Sequence, residues 1–265
     1  MNPIITGLQN PRIKNIQKLA TKSRSRKEQG LFLIEGAREI SLALKKEYIL
    51  DSVFLCRDLF VKTDYPDILQ LIPENILFEV TETVFQKIAY REGSDGVLAL
   101  AKPKDHSLTN LTVSANPFFI VLESVEKPGN LGAVLRTADA AKVDAVIVCN
   151  PLTDIYNPNI IRSSVGCVFT VPVGIADNEA TLRFLKKNGI CSYAAELTAA
   201  QWYQDMDYTS PSAVIMGAEA DGLTDFWLNQ AEKRIKIPMR GAIDSLNVSV
   251  STAIITFEAM RQRGF

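Results

Sequence analysis

The chain has 265 residues, 47% of them hydrophobic and 22% charged, with a formal net charge of −1. This is the composition of an ordinary globular protein, long enough for two domains of about 100 to 200 residues each. No apolar run approaches the roughly 18 residues of a membrane span, and the N-terminal MNPIITGLQNPRIK has no apolar signal core, so a cytoplasmic protein is expected. The four cysteines, Cys56, Cys149, Cys167 and Cys191, are far apart and show no metal-ligand spacing. They are expected to be reduced core thiols, with no metal bound.

Charge is unevenly placed. Residues 1–30 carry Arg12, Lys14, Lys18, Lys22, Arg24, Arg26 and Lys27 against Glu28 alone, a net of +6. The other 235 residues therefore hold −7 of the total of −1. Lys14, Lys18 and Lys22 fall at i, i+4 and i+8 and would form one stripe on a helix, with Ile13, Ile16 and Leu19 or Ala20 opposite. Such a stripe suits a polyanion, although a solvated helix face explains it equally well.

After Gly30, LFLIEGAREISLALKKEY reads as a strand, a turn and a helix. SVFLC and IPENILFEV read as strands, VTETVFQKIAY as a helix and GVLALA as a strand, together a small α/β domain with a mixed or parallel sheet. Residues 101–117 lose periodicity and gather Pro, Ser, Thr and Asn, as a linker does. Beyond it, strands are expected at 118–122, 143–149, 191–197, 212–217 and 234–239. Helices are expected at 131–142 and 180–188, the latter with Gly189 at its C-terminal end. A last helix follows, with Leu246, Val250, Ala253, Ile254, Phe257 and Met260 on its apolar face and Ser245 as its N-cap. Apolar strands separated by helices imply a parallel sheet covered on both faces. Ligands of such sheets gather at the carboxyl ends of the strands.

Three loops follow strands at that edge. They are ESVEKPGNLGAVLRTADAA from Glu123, MGAEADGLTDFW from Met216, and IPMRGAIDSLNVS from Ile237. Gly217 and Gly222 have P-loop spacing, but Leu223-Thr224 stands where Lys-Ser/Thr is required, and no GxGxxG follows a strand. His106 is the sole histidine and lies in the linker, which leaves no Ser-His-Asp triad and no multi-histidine metal site. Three polar loops at one sheet edge indicate a small-molecule site without saying which molecule. Arg136, taken alone, reads as an ion-pair partner of Asp139 at i+3, and Asn130 as a helix cap.

PGNLGAVLRTADAA, GAEADGL and IPMRGAIDSLNVSVSTAIITFE resemble, in order, the three motifs of the SpoU/TrmH RNA 2′-O-ribose methyltransferases of the SPOUT superfamily. QNPRIKNIQKL and LFLIEGAREISLAL are similar to the opening segments of the substrate-binding domain that precedes many members. The resemblance implies residues 1–105 as an RNA substrate-binding domain with a basic N-terminal arm, 106–117 as linker and 118–265 as the methyltransferase domain. It further implies a C-terminal trefoil knot, which departs from the usual rule against threading, and a homodimer.

By the same resemblance the cofactor is S-adenosylmethionine. Gly217, Glu219, Gly222, Ile237, Met239, Leu246 and Asn247 would border it, largely through backbone groups. Arg136 matches the residue assigned to catalysis, and Asn130, Glu219, Ser245 and Asn247 match polar motif positions. Arginine holds its proton too tightly to act as a general base, so Arg136 is expected to position and polarise the ribose hydroxyl and to contact phosphate. Arg12, Lys14, Lys18, Lys22, Arg24, Arg26 and Lys127 are the expected RNA contacts. Ribosomal RNA is the expected substrate. The alternatives are transfer RNA methylation, a non-catalytic RNA-binding or ribosome-assembly role on the same fold, and a nucleotide-binding enzyme on an ordinary doubly wound sheet.

Overall fold

The computed structural model describes residues 4–60, 64–91, 93–219 and 221–265. The chain first forms α1 (Pro11–Thr21), α2 (Ser23–Gln29), β1 (Phe32–Glu35), α3 (Ala37–Lys45), β2 (Leu50–Leu55), α4 (Arg57–Phe60), β3 (Leu77–Glu79), α5 (Glu82–Ile88) and β4 (Val97–Ala101). Next come β5 (Phe118–Glu123), α6 (Pro128–Ala140), β6 (Ala145–Cys149), α7 (Pro158–Ser163) and α8 (Cys167–Thr170). The chain ends with β7 (Val173–Ala176), α9 (Asn178–Lys187), β8 (Cys191–Ala195), β9 (Gln201–Trp202), β10 (Ser212–Met216), α10 (Asp225–Gln230), β11 (Lys233–Lys236) and α11 (Val248–Arg263). Two compact units result: Met1–Lys104 with Asp154–Thr170, and Asp105–Thr153 with Val171–Phe265. Among the described residues no helix is long and apolar enough to cross a membrane.

The first unit is built on a four-stranded sheet in the order β1-β4-β2-β3. Strand β4 runs antiparallel to β1 and β2, whereas β2 and β3 are parallel, which is the mixed sheet that the sequence allows. Helix α1 starts at Pro11, a residue pre-set for a first helical turn, with Asn10 accepting from the Arg12 amide at 2.9 Å. Its apolar side, Ile13, Ile16 and Leu19, is fully buried with Val84, Phe85 and Leu98. Lys14 and Lys18 stay exposed on the helix, and Lys22 lies just past its end.

Arg26 corrects one expectation. It is 5% exposed, its Nε donates to Asp154 at 2.6 Å and its Nη1 donates to the Leu19 carbonyl at 2.7 Å. It fastens α2 to the start of the 154–170 segment and is not available as an RNA contact. A guanidinium is retained here because its fork satisfies a carboxylate and a carbonyl together.

The second unit holds a seven-stranded sheet in the order β7-β6-β5-β10-β8-β11-β9, parallel throughout. Alternate residues of its strands point to opposite faces. Phe119, Val121, Ile147, Ala213 and Ile215 pack with Leu185 of α9 and Trp227 of α10, while α6 and α11 pack together on the other face. Leu108, Leu111 and Val113 of the predicted linker also pack against this core. The short edge strands β7 and β9 escape sequence reading. The predicted 72–80 strand shortens to β3, and β11 stops at Lys236, two residues before Pro238, which lacks a ladder donor. All four cysteines are free thiols, and burial pushes Cys149 up to about 12.

Helix α11 is rotated from its predicted orientation. It buries Val248, Thr252, Ile255, Thr256 and Ala259, leaving Val250 47% and Phe257 42% exposed. Threonine serves on the inward face because its methyl packs while its hydroxyl can bond the preceding turn, as Thr252 does to the Val248 carbonyl at 2.7 Å. At the far end Arg263 donates to the carbonyls of Tyr208, Asn116 and Ser210 at 2.8, 2.8 and 2.6 Å, anchoring the helix.

Replacing Arg26 with Ala strands the Asp154 carboxylate and should cost about 3 kcal/mol, typical of a broken buried pair. Urea unfolding should show a correspondingly lower midpoint, and an unchanged midpoint would remove the pair from the stability of the first unit.

Candidate functional site

Because all seven strands are parallel, the loops after β5, β10 and β11 leave the sheet at one carboxyl edge. The second unit supplies every residue of these loops. The first loop turns sharply at Ser124, whose φ of 51° is left-handed, and enters α6 with Pro128 in its first turn. Lys127 is the N-cap and makes no side-chain cap bond. Asn130 therefore lies inside the helix instead of capping it, and its amide is free to reach another loop.

The second loop closes on itself. Ala218 and Gly222 exchange backbone hydrogen bonds of 3.1 and 3.0 Å, and Gly222 turns with φ +68°. A Cβ on Gly217 would lie inside contact distance of the Gly222 carbonyl group and the Leu223 amide. Glycine is needed at 217 so that the loop can pass over its own root. Ala220 of this motif lies outside the described residues.

The third loop, 237–247, has no regular secondary structure. Ile237, Met239 and Leu246 are half-buried, whereas residues 240–245 are exposed. The N-cap of α11 is Asn247, not Ser245. Its Oδ1 accepts from the Ser249 amide at 2.9 Å and from the Ser249 hydroxyl at 2.6 Å. Ser245 donates instead to Asp244 at 3.1 Å.

One hydrogen-bonded chain joins the three loops. Asn247 donates through Nδ2 to Asn130 Oδ1 at 3.2 Å, and Asn130 donates through its own Nδ2 to Glu219 Oε1. Three of the predicted site residues thus meet, one from each motif. Arg136 is not joined to them. It lies six residues beyond Asn130 on α6, roughly 9 Å along the axis and about a third of a turn round. It is exposed on the helix. Lys127 is exposed at the mouth of the first loop.

Beneath the loops lies a feature that sequence reasoning passed over. Glu123, at the end of β5, is 1% exposed. Its Oε2 accepts from the Thr224 amide at 2.8 Å, and its Oε1 accepts from the Thr224 hydroxyl at 2.6 Å and from Asn178 Nδ2. Trp227 Nε1 donates to Asn178 Oδ1 at 3.0 Å. A glutamate closing the apolar run FFIVL was the available signal, since a buried charge requires partners.

The edge combines half-buried apolar side chains, irregular backbone and a glycine root admitting close approach, features that small-molecule sites use. Residues 117–257 match the model of the SpoU rRNA Methylase family, and residues 10–99 match an MRM3-like substrate binding domain. The chain belongs to the SpoU rRNA methylase family.

Among its relatives is the 23S rRNA (guanosine(2553)-2′-O)-methyltransferase RlmP of Bacillus subtilis (strain 168), 27% identical over 96% of this chain and 97% of that one. The 23S rRNA (guanosine-2′-O-)-methyltransferase RlmB of Vibrio vulnificus (strain CMCP6) is 36% identical over 71% of this chain and 78% of that one. A crystal structure of an RNA 2′-O ribose methyltransferase superposes with a TM-score of 0.86 at 37% identity, covering 98% of this chain and 99% of the other. The AdoMet-bound rRNA methyltransferase from Sinorhizobium meliloti gives 0.88 at 28% identity, covering 98% and 97%.

Gly217→Ala forces a methyl group against backbone and should cost about 3 kcal/mol, the upper end for overpacking. Thermal unfolding of the variant checks this, and a wild-type midpoint would mean the loop does not pass over its root as described.

Proposed function

We propose that this chain transfers the methyl group of S-adenosylmethionine to a ribose 2′-hydroxyl of RNA, with ribosomal RNA as substrate in the cytoplasm. The observation that carries the reading is the Asn247–Asn130–Glu219 chain, which ties all three family motifs together at the carboxyl edge of the sheet. The rRNA substrates named for the full-length relatives support the choice of RNA.

S-adenosylmethionine supplies an electrophilic methyl on a sulfonium, open to in-line attack by the ribose oxygen. The backbone of Gly217 and Gly222 and the side chains of Ile237, Met239 and Leu246 hold the cofactor. Asn130, Glu219 and Asn247 keep the three loops in register, so that hydroxyl and methyl meet at attack distance; such orientation lowers barriers substantially. Arg136 is a donor only. It grips an RNA phosphate and polarises the 2′-hydroxyl, and it accepts no proton; the new O–CH3 bond replaces the S–CH3 bond, S-adenosylhomocysteine leaves, and the hydroxyl proton passes to solvent. Ser245, exposed beside Asp244, faces the RNA. RNA is selected over DNA because only RNA carries the reacting hydroxyl.

Lys14, Lys18, Lys22, Arg24 and Lys127 are exposed and hold RNA phosphates, as does Arg12, which also lies 4.2 Å over the Phe78 ring. The protein acts as a homodimer. The apolar stripe of α11 that includes Val250 and Phe257 is exposed in the single chain and suits a second copy. The C-terminal segment threads the knot of the family fold, and Arg263 latches its end.

Arg136→Ala should lower kcat by about 10²- to 10³-fold, the usual loss for one positioned donor, with cofactor affinity within about three-fold. Transfer of labelled methyl to RNA tests this, and wild-type turnover would remove Arg136 from the reaction. Deleting the basic arm is a poor test of RNA binding, because Ile13, Ile16 and Leu19 contribute about 2 kcal/mol each to the core. Converting Lys14, Lys18 and Lys22 together to Gln leaves that face intact. It should weaken RNA binding and reduce the slope of log affinity against log salt by about 2 to 3. An unchanged slope would return the stripe to a solvated surface.

A further inference from the structure

The donors around Glu123 determine which residue can stand there. Thr224 presents its amide N–H and its hydroxyl, and Asn178 presents its Nδ2 amide, so the two carboxylate oxygens receive three donors. The orientation of the Asn178 amide is not arbitrary. Trp227 Nε1, a donor only, occupies Asn178 Oδ1 and leaves Nδ2 to face Glu123. Trp227 is fully buried and Asn178 is 9% exposed, so water does not readily repair a mismatch.

We infer that Glu123 is the positioning residue of the second loop: it sets the height of Thr224, and through it the described loop residues 217–219 and 221–223, which are proposed to cradle the cofactor. Thr224 is the N-cap of α10 and follows Leu223 directly, so its grip fixes the far root of the loop. Met216, at the end of β10, pairs with Leu122 beside Glu123 and fixes the near root. Glu219 lies between these roots and meets Asn130, in the first turn of α6, the helix that follows the loop from Glu123. One side chain therefore aligns the first two motifs against each other. This role rests on the proposed use of S-adenosylmethionine.

The donor pattern makes a chemically specific test. In Glu123→Gln, whichever way the new amide turns, its NH2 meets Asn178 Nδ2 or the Thr224 amide, donor against donor. Turning the Asn178 amide only moves the conflict to Trp227. Adding Asn178→Asp removes it, because the new amide then donates to the new carboxylate, the other carboxylate oxygen still accepts from Trp227, and the amide oxygen still accepts from Thr224.

The full-length wild type, Glu123→Gln and the double variant Glu123→Gln/Asn178→Asp would be compared by calorimetric titration with S-adenosylmethionine, by thermal unfolding, and by the KM for the cofactor in methyl transfer. Glu123→Gln should weaken cofactor binding about ten-fold and lower the unfolding midpoint, with KM rising more than kcat falls. The double variant should return binding to within about three-fold of wild type and recover the midpoint. A single variant that does not fold beside a double variant that folds and binds supports the assignment equally. Wild-type binding by Glu123→Gln, or a double variant no better than the single one, overturns it. A wild-type protein that binds no S-adenosylmethionine overturns the proposed function instead. Recovery of the unfolding midpoint by the double variant then still decides whether the donor pattern holds.

Discussion

A buried carboxylate at the end of a central strand is the constraint on which the site depends. Moving Glu123 out of water costs several kcal/mol unless its oxygens are hydrogen-bonded. Three donors reach the two oxygens, and Trp227 orients one of them, Asn178. The consequence is structural order where the fold is otherwise irregular: the first loop departs from Glu123, the second is held by it, and the third joins through Asn130 and Asn247. Loops with few backbone ladders of their own are thereby fixed by side chains, which is how a site for a small cofactor can be preorganised without being buried in a domain core.

The division of labour along the chain follows from charge and packing. In the first unit the basic segment buries its aliphatic face and its one inward arginine, and turns its lysines outward. In the second unit the apolar strands are covered on both faces, so polar chemistry is displaced to the sheet edge. The segment 154–170 lies in sequence between β6 and β7 yet belongs to the compact unit of the N-terminal residues, where the Arg26–Asp154 pair holds it.

Most of the parallel sheet was legible because strands such as 118–122 and 143–149 are continuous apolar runs between helices, a pattern with few other readings. The three motifs were legible for a different reason, their ordered resemblance to a known family. What was misread involved choices between equivalent local signals. Ser245, Asn247 and Ser249 can each cap a helix, and only the tertiary position of Asn130 favours Asn247. On α11 an apolar stripe and a threonine-containing stripe compete, and packing against α6 and β10 buries the latter. Arg26 looked like its basic neighbours because sequence carries no sign of Asp154, 128 residues away. The strands β7 and β9 are short edge elements whose pairing is set by their neighbours, not by their own periodicity.

The position of the transferred methyl group tests the account most directly. RNA incubated with the protein and methyl-labelled S-adenosylmethionine would be digested to nucleosides, and the labelled nucleosides identified by mass. The account predicts label in a single 2′-O-methylated ribonucleoside, with the base unmodified. Label on a base, or no label on any RNA despite an intact fold, would contradict it.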